Sequence, residues 1–284
     1  MGTIGTVGVV GAGAMGSGIV EVVAKAGVPV VVREIGPEAV EAGAARVEGS
    51  LAKAVERGKL EGADRDAIVA RVTWTTDLAD LAGCDLVIEA APEILDLKLE
   101  LFRSLDGVLA DGAIIATNTS SIPVIDIAMA TERPERVCGM HFFNPAPVMQ
   151  LVEVISTQRT DPAVAETVSA FATDVLDKHV VRCKDRAGFI VNALLVPYLC
   201  QAIAMYEAGH ASAADIDEAM KLGAGHPMGP LTLGDLIGLD VVLSAAESLY
   251  EEYGEHVPAP PPLLRRMVSA GQLGRKTGTG FYDY

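Results

Sequence analysis

The chain has 284 residues, half of them hydrophobic, enough to bury one sizeable core or two smaller ones, and at this length two domains are the expectation. Its 22 lysines and arginines against 38 aspartates and glutamates leave a formal charge of −16 at pH 7, which argues against general nucleic-acid binding but not against an anionic small molecule. No apolar run approaches the ~20 residues needed to span a bilayer, and the N-terminus has no basic stretch leading into a long apolar segment, so a soluble cytoplasmic protein is expected.

Cys84, Cys138, Cys183 and Cys200 are scattered, without a C-x-x-C pair or a His at ligand spacing. They read as plain buried thiols, with no disulfide framework and no metal site.

Thr6–Val10 is a short β-branched run that leads into Gly11-Ala12-Gly13-Ala14-Met15-Gly16-Ser17-Gly18, after which Ile19, Val22 and Val23 recur at helical spacing until Gly27. Strand, tight glycine turn and helix form a dinucleotide-binding fingerprint. Its glycines allow close approach to a pyrophosphate, and the helix N-terminus offers free N–H groups. The next strand, Pro29–Arg33, ends in Glu34, eighteen residues beyond Gly16, where a carboxylate can take both ribose hydroxyls of an adenosine. Glu34 favours NAD over NADP, whose 2′-phosphate it would repel. Arg33 beside it is the one residue that could receive that phosphate instead.

Glu38–Arg57 reads as a long helix of mixed charge, and Lys53, Arg57 and Lys59 make a local cation cluster at its end. Asp85–Glu89 is a strand, Glu89-Ala90-Ala91-Pro92-Glu93 the turn after it, and a helix follows through Lys98, Leu101 and Phe102. Ala113–Thr117 is the next strand, opening into Asn118-Thr119-Ser120-Ser121, four small hydrogen-bonding side chains at a strand end.

Arg136-Val137-Cys138 reads as the end of a short strand, which delivers His141 of Gly139-Met140-His141-Phe142-Phe143-Asn144-Pro145 where strand gives way to loop. Leu151–Ile155 alternates as a strand with Leu151, Glu153 and Ile155 on one face. A carboxylate among apolar neighbours needs a partner, and His141 is the one that a hairpin-like return brings near. A carboxylate on one ring nitrogen fixes the tautomer and makes the other nitrogen more basic.

Asp161 caps a helix to about Leu176, and His179–Cys183 is the last strand. From Ala187 onward helical periodicity takes over: Phe189–Glu207 with a kink near Pro197, Ala213–Leu222, Leu231–Tyr253 and Pro262–Ala270, with Pro258–Pro262 as a rigid connector. The expected architecture is α/β, a Rossmann-type doubly wound sheet over residues 1–186 followed by an all-helical domain over residues 187–284.

With these stretches in hand, the chain resembles the L-3-hydroxyacyl-CoA dehydrogenase family, most closely its single-function 3-hydroxybutyryl-CoA dehydrogenase members. The resemblance runs nearly end to end. It rests on the glycine fingerprint and on Glu89–Glu93, Asn118–Ser121, His141–Pro145, Gly188-Phe189-Ile190-Val191-Asn192, Gly225-His226-Pro227-Met228-Gly229-Pro230 and Gly274–Tyr282. It implies His141 as catalytic base, Glu153 as its support, and Ser120 and Asn192 as contacts to the substrate oxygen, so that both domains furnish the site. It further implies NAD contacts at Glu34, Glu93, Lys98, Ser120, Asn144 and Lys276, CoA contacts at Ser50 and Arg57, an acyl-CoA substrate and a homodimer joined through the helical domain.

The chain departs from the family pattern at Ala187 and Ala193, where Pro and Arg are usual, at Glu34 for the commoner Asp, and at Arg57 for a usual Lys. Two other readings compete. One is a related dehydrogenase of a CoA-free hydroxy acid or sugar acid; the other is a non-catalytic NAD-binding protein.

Overall fold

Short valine-rich segments build the sheet of the first unit. In the computed structural model, which describes residues 3–284, β1 (Val7–Val10) leads into α1 (Ala14–Lys25) and β2 (Val30–Arg33). Next come α2 (Pro37–Glu56), α3 (Gly62–Val69), β3 (Val72–Thr75), β4 (Leu86–Glu89), α4 (Leu95–Val108), β5 (Ile114–Thr117) and α5 (Val124–Ala128). β6 (Val137–Phe142), β7 (Leu151–Ser156), α6 (Pro162–Ala170) and β8 (His179–Lys184) complete it.

The eight strands form one sheet in the order β3-β2-β1-β4-β5-β6-β7-β8. β1 to β6 run parallel; β7 is antiparallel to β6, and β8 is parallel to β7. Chain order reverses at β1, which lies between β2 and β4, so the glycine turn opens at the topological switch point where ligands bind in such sheets. The sheet is the expected doubly wound one. Alternate residues supply its two faces: Val7, Val9, Leu86, Ile88 and Ala116 pack with α1 and α2 on one side, while Val10, Val87 and Ile115 pack with Phe102 and Leu105 of α4 on the other.

The chain divides between Asp185 and Arg186 into two compact units. The second is all helical: α7 (Val191–Glu207), α8 (Ala213–Ala224), α9 (Pro230–Ile237), α10 (Leu239–Tyr253) and α11 (Pro262–Ser269). Its core is Leu199, Ile203, Ile216, Leu231, Leu239, Val242 and Leu264. Two buried carboxylates lock its ends. Asp217 accepts from Leu231 N, Thr232 N and the Tyr282 hydroxyl; Asp235 accepts from Phe281 N, Tyr282 N and the Tyr284 hydroxyl. A Cβ at Gly229 would overlap Asp217, and one at Gly280 would overlap Asp235, which gives two glycines of the quoted motifs a packing reason.

Two sequence expectations are corrected, and two details are added. The run Leu231–Tyr253 is two helices, because Gly238 takes φ +105° and Leu239 N turns to Leu273 O. α3 and β3 were not anticipated: α3 is eight residues long and largely exposed, and Val72-Thr73-Trp74-Thr75 is a half-buried edge strand, so both carry weak apolar patterns. The helix begun by Asp161, whose Oδ1 accepts from Ala163 N, changes to a π turn over Phe171–Val175. Cys138 does not end a strand; β6 begins at Val137 and runs through His141 to Phe142.

All four cysteines are free thiols. Burial pushes Cys84 and Cys200 up to about 11 and Cys138 and Cys183 up to about 12, which keeps them protonated at neutral pH.

Candidate active site

The three fingerprint glycines are needed for three different reasons. Gly11 sits at φ +88°, and a Cβ there would stand 2.8 Å from Ala90 O on β4's exit turn. A Cβ at Gly16 would fall 1.8 Å from Gly11 O, so α1 packs on the turn only without one. Gly13 meets nothing within 4 Å: its side of the turn is open, beside a helix N-terminus with no side-chain cap and no acidic residue in its first turn. Open space, uncapped N–H groups and a positive dipole end fit a pyrophosphate. Ala12 is buried, Ala14 begins α1 and Met15 packs on the sheet. Glu34 lies against the same turn, with Oε1 accepting from Ala12 N (2.5 Å) and Oε2 from Ile35 N (3.1 Å). Arg33 Nε is buried with no hydrogen-bond partner.

His141 and Glu153 face each other across the antiparallel β6–β7 ladder. His141 Nδ1 and Glu153 Oε2 are 2.8 Å apart, and the residues are 6% and 1% exposed. An ionised carboxylate can only accept, so it assigns the proton to Nδ1 and leaves Nε2 the basic lone pair. The ring tilts against Phe143, with centroids 4.6 Å apart. The pairing is therefore a strand register, in place of the strand-to-loop delivery that the sequence suggested.

Ser120 is held by Glu93. Glu93 Oε1 accepts from Thr119 Oγ1 (2.5 Å), Ser120 N (2.9 Å), Ser121 N (3.1 Å) and Ser121 Oγ (3.1 Å). Burial alone would raise this carboxyl, but the Lys98 ammonium and these hydrogen bonds outweigh it and hold it below the ordinary glutamate range. Lys98, 1% exposed, lies 3.3 Å from Glu93 Oε2 and 2.5 Å from Oε1 of Glu89, itself fully buried. Glu89 also takes Ala91 N and Thr117 Oγ1, both at 2.7 Å, so the buried pair is fully hydrogen-bonded.

Asn118 Oδ1 accepts from Phe142 N at 2.8 Å and ties the Ser120 loop to the strand of His141. Glu89 and Asn118 had not been singled out individually, although both stood inside the quoted motifs. At the loop's other end Asp185 accepts from Val124 N (3.0 Å) and Ile125 N (2.7 Å) at the start of α5.

The remaining candidates lie on other elements. Asn144 is exposed two residues after the end of β6, joined to Pro145 by a cis peptide. Ser50 is on the exposed face of α2, and Arg57 caps that helix's C-terminal end. Asn192 is half-buried in the first turn of α7, and Lys276 pairs with both oxygens of Asp240; these two belong to the second unit.

Residues 6–186 match the family model described as 3-hydroxyacyl-CoA dehydrogenase, NAD binding domain, and residues 188–284 match that family's C-terminal domain. The chain belongs to the 3-hydroxyacyl-CoA dehydrogenase family. Its relatives include a 3-hydroxybutyryl-CoA dehydrogenase of Mycobacterium tuberculosis, 54% identical over 279 residues, 98% of each chain. Among solved structures, M. tuberculosis FadB2 is 53% identical with a TM-score of 0.98 over 100% of both chains. (S)-3-hydroxybutyryl-CoA dehydrogenase PaaH1 from Ralstonia eutropha is 45% identical with a TM-score of 0.95 over 99% of both.

NAD is accordingly the cofactor of the N-terminal unit, and the dehydrogenase family accounts for the glycine turn and the acidic end of β2 together. One departure from the family's sequence now has a physical reason. Ala187 N donates to Glu252 Oε2 at 2.6 Å, a bond that proline, lacking an N–H, could not make. Ala193 packs beside the small apolar cluster of Val196, Cys200, Ala246 and Leu249.

Proposed function

We propose that the chain is an NAD-dependent dehydrogenase that reversibly oxidises the C3 hydroxyl of an L-3-hydroxyacyl-CoA to the ketone, with 3-hydroxybutyryl-CoA and acetoacetyl-CoA as the pair to test first. The observation that carries the reading is the buried 2.8 Å hydrogen bond between His141 Nδ1 and Glu153 Oε2 in a unit that also holds the open glycine turn.

NAD, when bound, supplies the acceptor for the C3 hydride. The hydroxyl proton has to leave in the same event, and His141 takes it at Nε2 as general base, returning it as acid in the reducing direction. Glu153 keeps Nδ1 protonated and stabilises the imidazolium that forms. Ser120 hydrogen-bonds the developing oxygen charge, a role for which Glu93 fixes its backbone, and Asn192 adds a second donor on the strength of the resemblance. The N-terminus of α1 takes the pyrophosphate and Glu34 the adenosine ribose. Glu93, Lys98, Asn144 and Lys276 serve the nicotinamide end, and Ser50 and Arg57 the CoA nucleotide.

Initial rates of NADH oxidation with acetoacetyl-CoA test the reading, with free acetoacetate as the CoA-free control. His141→Gln is expected to lose about 10²- to 10⁴-fold in kcat with NADH affinity by calorimetry unchanged. No turnover of acetoacetyl-CoA sinks the substrate; an unchanged kcat in the variant sinks the base.

A further inference from the structure

The loop after His141 is fastened from two sides by residues that have no part in the network above. Between β6 and β7 the chain makes a turn in which Pro145 O accepts from Val148 N (2.9 Å) and Met149 N (3.0 Å). Lys178, the residue before β8, reaches across to it. Its ammonium donates to Ala146 O and Met149 O, each at 2.8 Å, and the residue is 6% exposed. The stem is itself anchored: Lys178 N bonds to Ala172 O at 2.9 Å, and the next amide, His179 N, bonds to Gln150 O at 2.8 Å.

Among the described residues no carboxylate forms an ion pair with Lys178, so this buried cation serves backbone carbonyls. A buried charge held only by neutral acceptors is costly, and burial holds this ammonium below the ordinary lysine range, with Asp177 opposing and Lys25 adding to the effect.

From the other side the turn rests on α1. A Cβ at Gly18 would stand 3.2 Å from both Ala146 Cβ and Pro147 Cδ, tighter than ordinary contact, so the loop lies in space that Gly18 leaves vacant. The pyrophosphate fingerprint needs Gly11, Gly13 and Gly16; it does not need Gly18. The same helix thus presents its N-terminus to the cofactor and its second turn to the loop that follows Asn144.

We propose that Lys178 and Gly18 are positioning residues for the cofactor: together they set the height of the Pro145–Met149 turn on α1 and thereby aim Asn144. The inference rests on the nicotinamide-side role given to Asn144 above. It makes the cation a strut between β8 and the cofactor loop.

Steady-state kinetics of the full chain test it. Lys178→Met is expected to raise KM for NADH about tenfold while KM for acetoacetyl-CoA stays within about twofold. Lys178→Arg, which keeps a cationic donor, recovers part of the loss. Gly18→Ala crowds the turn from beneath and shows the same one-sided rise, about threefold, because the loop has to give by a few tenths of an ångström.

A Lys178→Met protein with parental circular dichroism and both KM values within about twofold of the parent overturns the inference, as does an equal rise in both. If that variant does not fold, Gly18→Ala decides by the same split: a rise for NADH alone supports the strut, and no rise or an equal one refutes it. A parent inactive on acetoacetyl-CoA counts against the proposed function instead. NADH affinity by calorimetry then judges the strut: about tenfold weakening in Lys178→Met supports it, and an unchanged constant rejects it.

Discussion

Glu93 shows how one carboxylate organises a site without touching the base. Its Oε1 gathers the Thr119–Ser121 loop while Oε2 faces Lys98, so its ionised form is worth more in the folded chain than in the unfolded one. A depressed carboxyl contributes stability that is complete above its ordinary value of 4.5 and is lost as pH falls through the lower folded value. Acidification below about pH 4.5 is therefore expected to lower the parent's thermal midpoint more steeply than that of Glu93→Gln, measured by calorimetry across that window. Asp235, raised mainly by burial despite its backbone donors, acts with the opposite sign, losing stability as pH rises from 3.8 through its folded value. Glu153→Gln keeps the shape of the His141 partner and removes its charge. It should lower kcat about 10²-fold and displace the pH–rate profile; a profile superimposable on the parent's would end the pairing.

At the scale of elements, the ladder between β6 and β7 is what makes His141 and Glu153 meet. Gly139 pairs with Ile155 two residues before His141 pairs with Glu153, and a Cβ at Gly139 would lie 2.9 Å from Ile155 Cβ and Cδ1. Gly139→Ala is expected to cost about 1–3 kcal/mol in urea unfolding and to reduce turnover, and Ile155→Ala in the same chain to restore part of both. Additive losses in that double-mutant cycle would contradict a shared contact.

The glycine turn, the acidic end of β2 and the alternation of Leu151, Glu153 and Ile155 were legible because each follows a local period or a fixed spacing. The ladder beneath His141 was less so, since Val137–Phe142 is buried on both faces and offers no alternation to mark its end. Gly238 was hidden inside an unbroken apolar pattern, where only its φ distinguishes a break from a tolerated glycine. Lys178 carried no signal at all: a lone lysine before a strand reads as solvated until three-dimensional packing buries it.

The chain carries a formal charge of −16, and the second unit also exposes several large apolar side chains. Leu194 and Leu222 are 72% and 79% exposed there. The family resemblance implies a homodimer joined through the helical unit, and these exposed side chains offer a way to test it. Light scattering at micromolar concentration should give twice the chain mass, and Leu222→Glu should shift it toward one chain; a parent mass of one chain refutes the expectation. Among the described residues no helix is long and apolar enough to cross a membrane.

One feature of the nucleotide unit has a use beyond packing. The chain contains a single tryptophan, Trp74 on β3, and a Cβ on Gly43 of α2 would touch both its ring, at 2.9 Å, and Ala12 of the glycine turn, at 2.7 Å. Indole emission overlaps the absorption of reduced nicotinamide. Binding of NADH at the glycine turn is therefore expected to quench Trp74 emission, an optical gauge of cofactor occupancy readable in a stopped-flow cell without label or substrate; emission unchanged at saturating NADH would refute it.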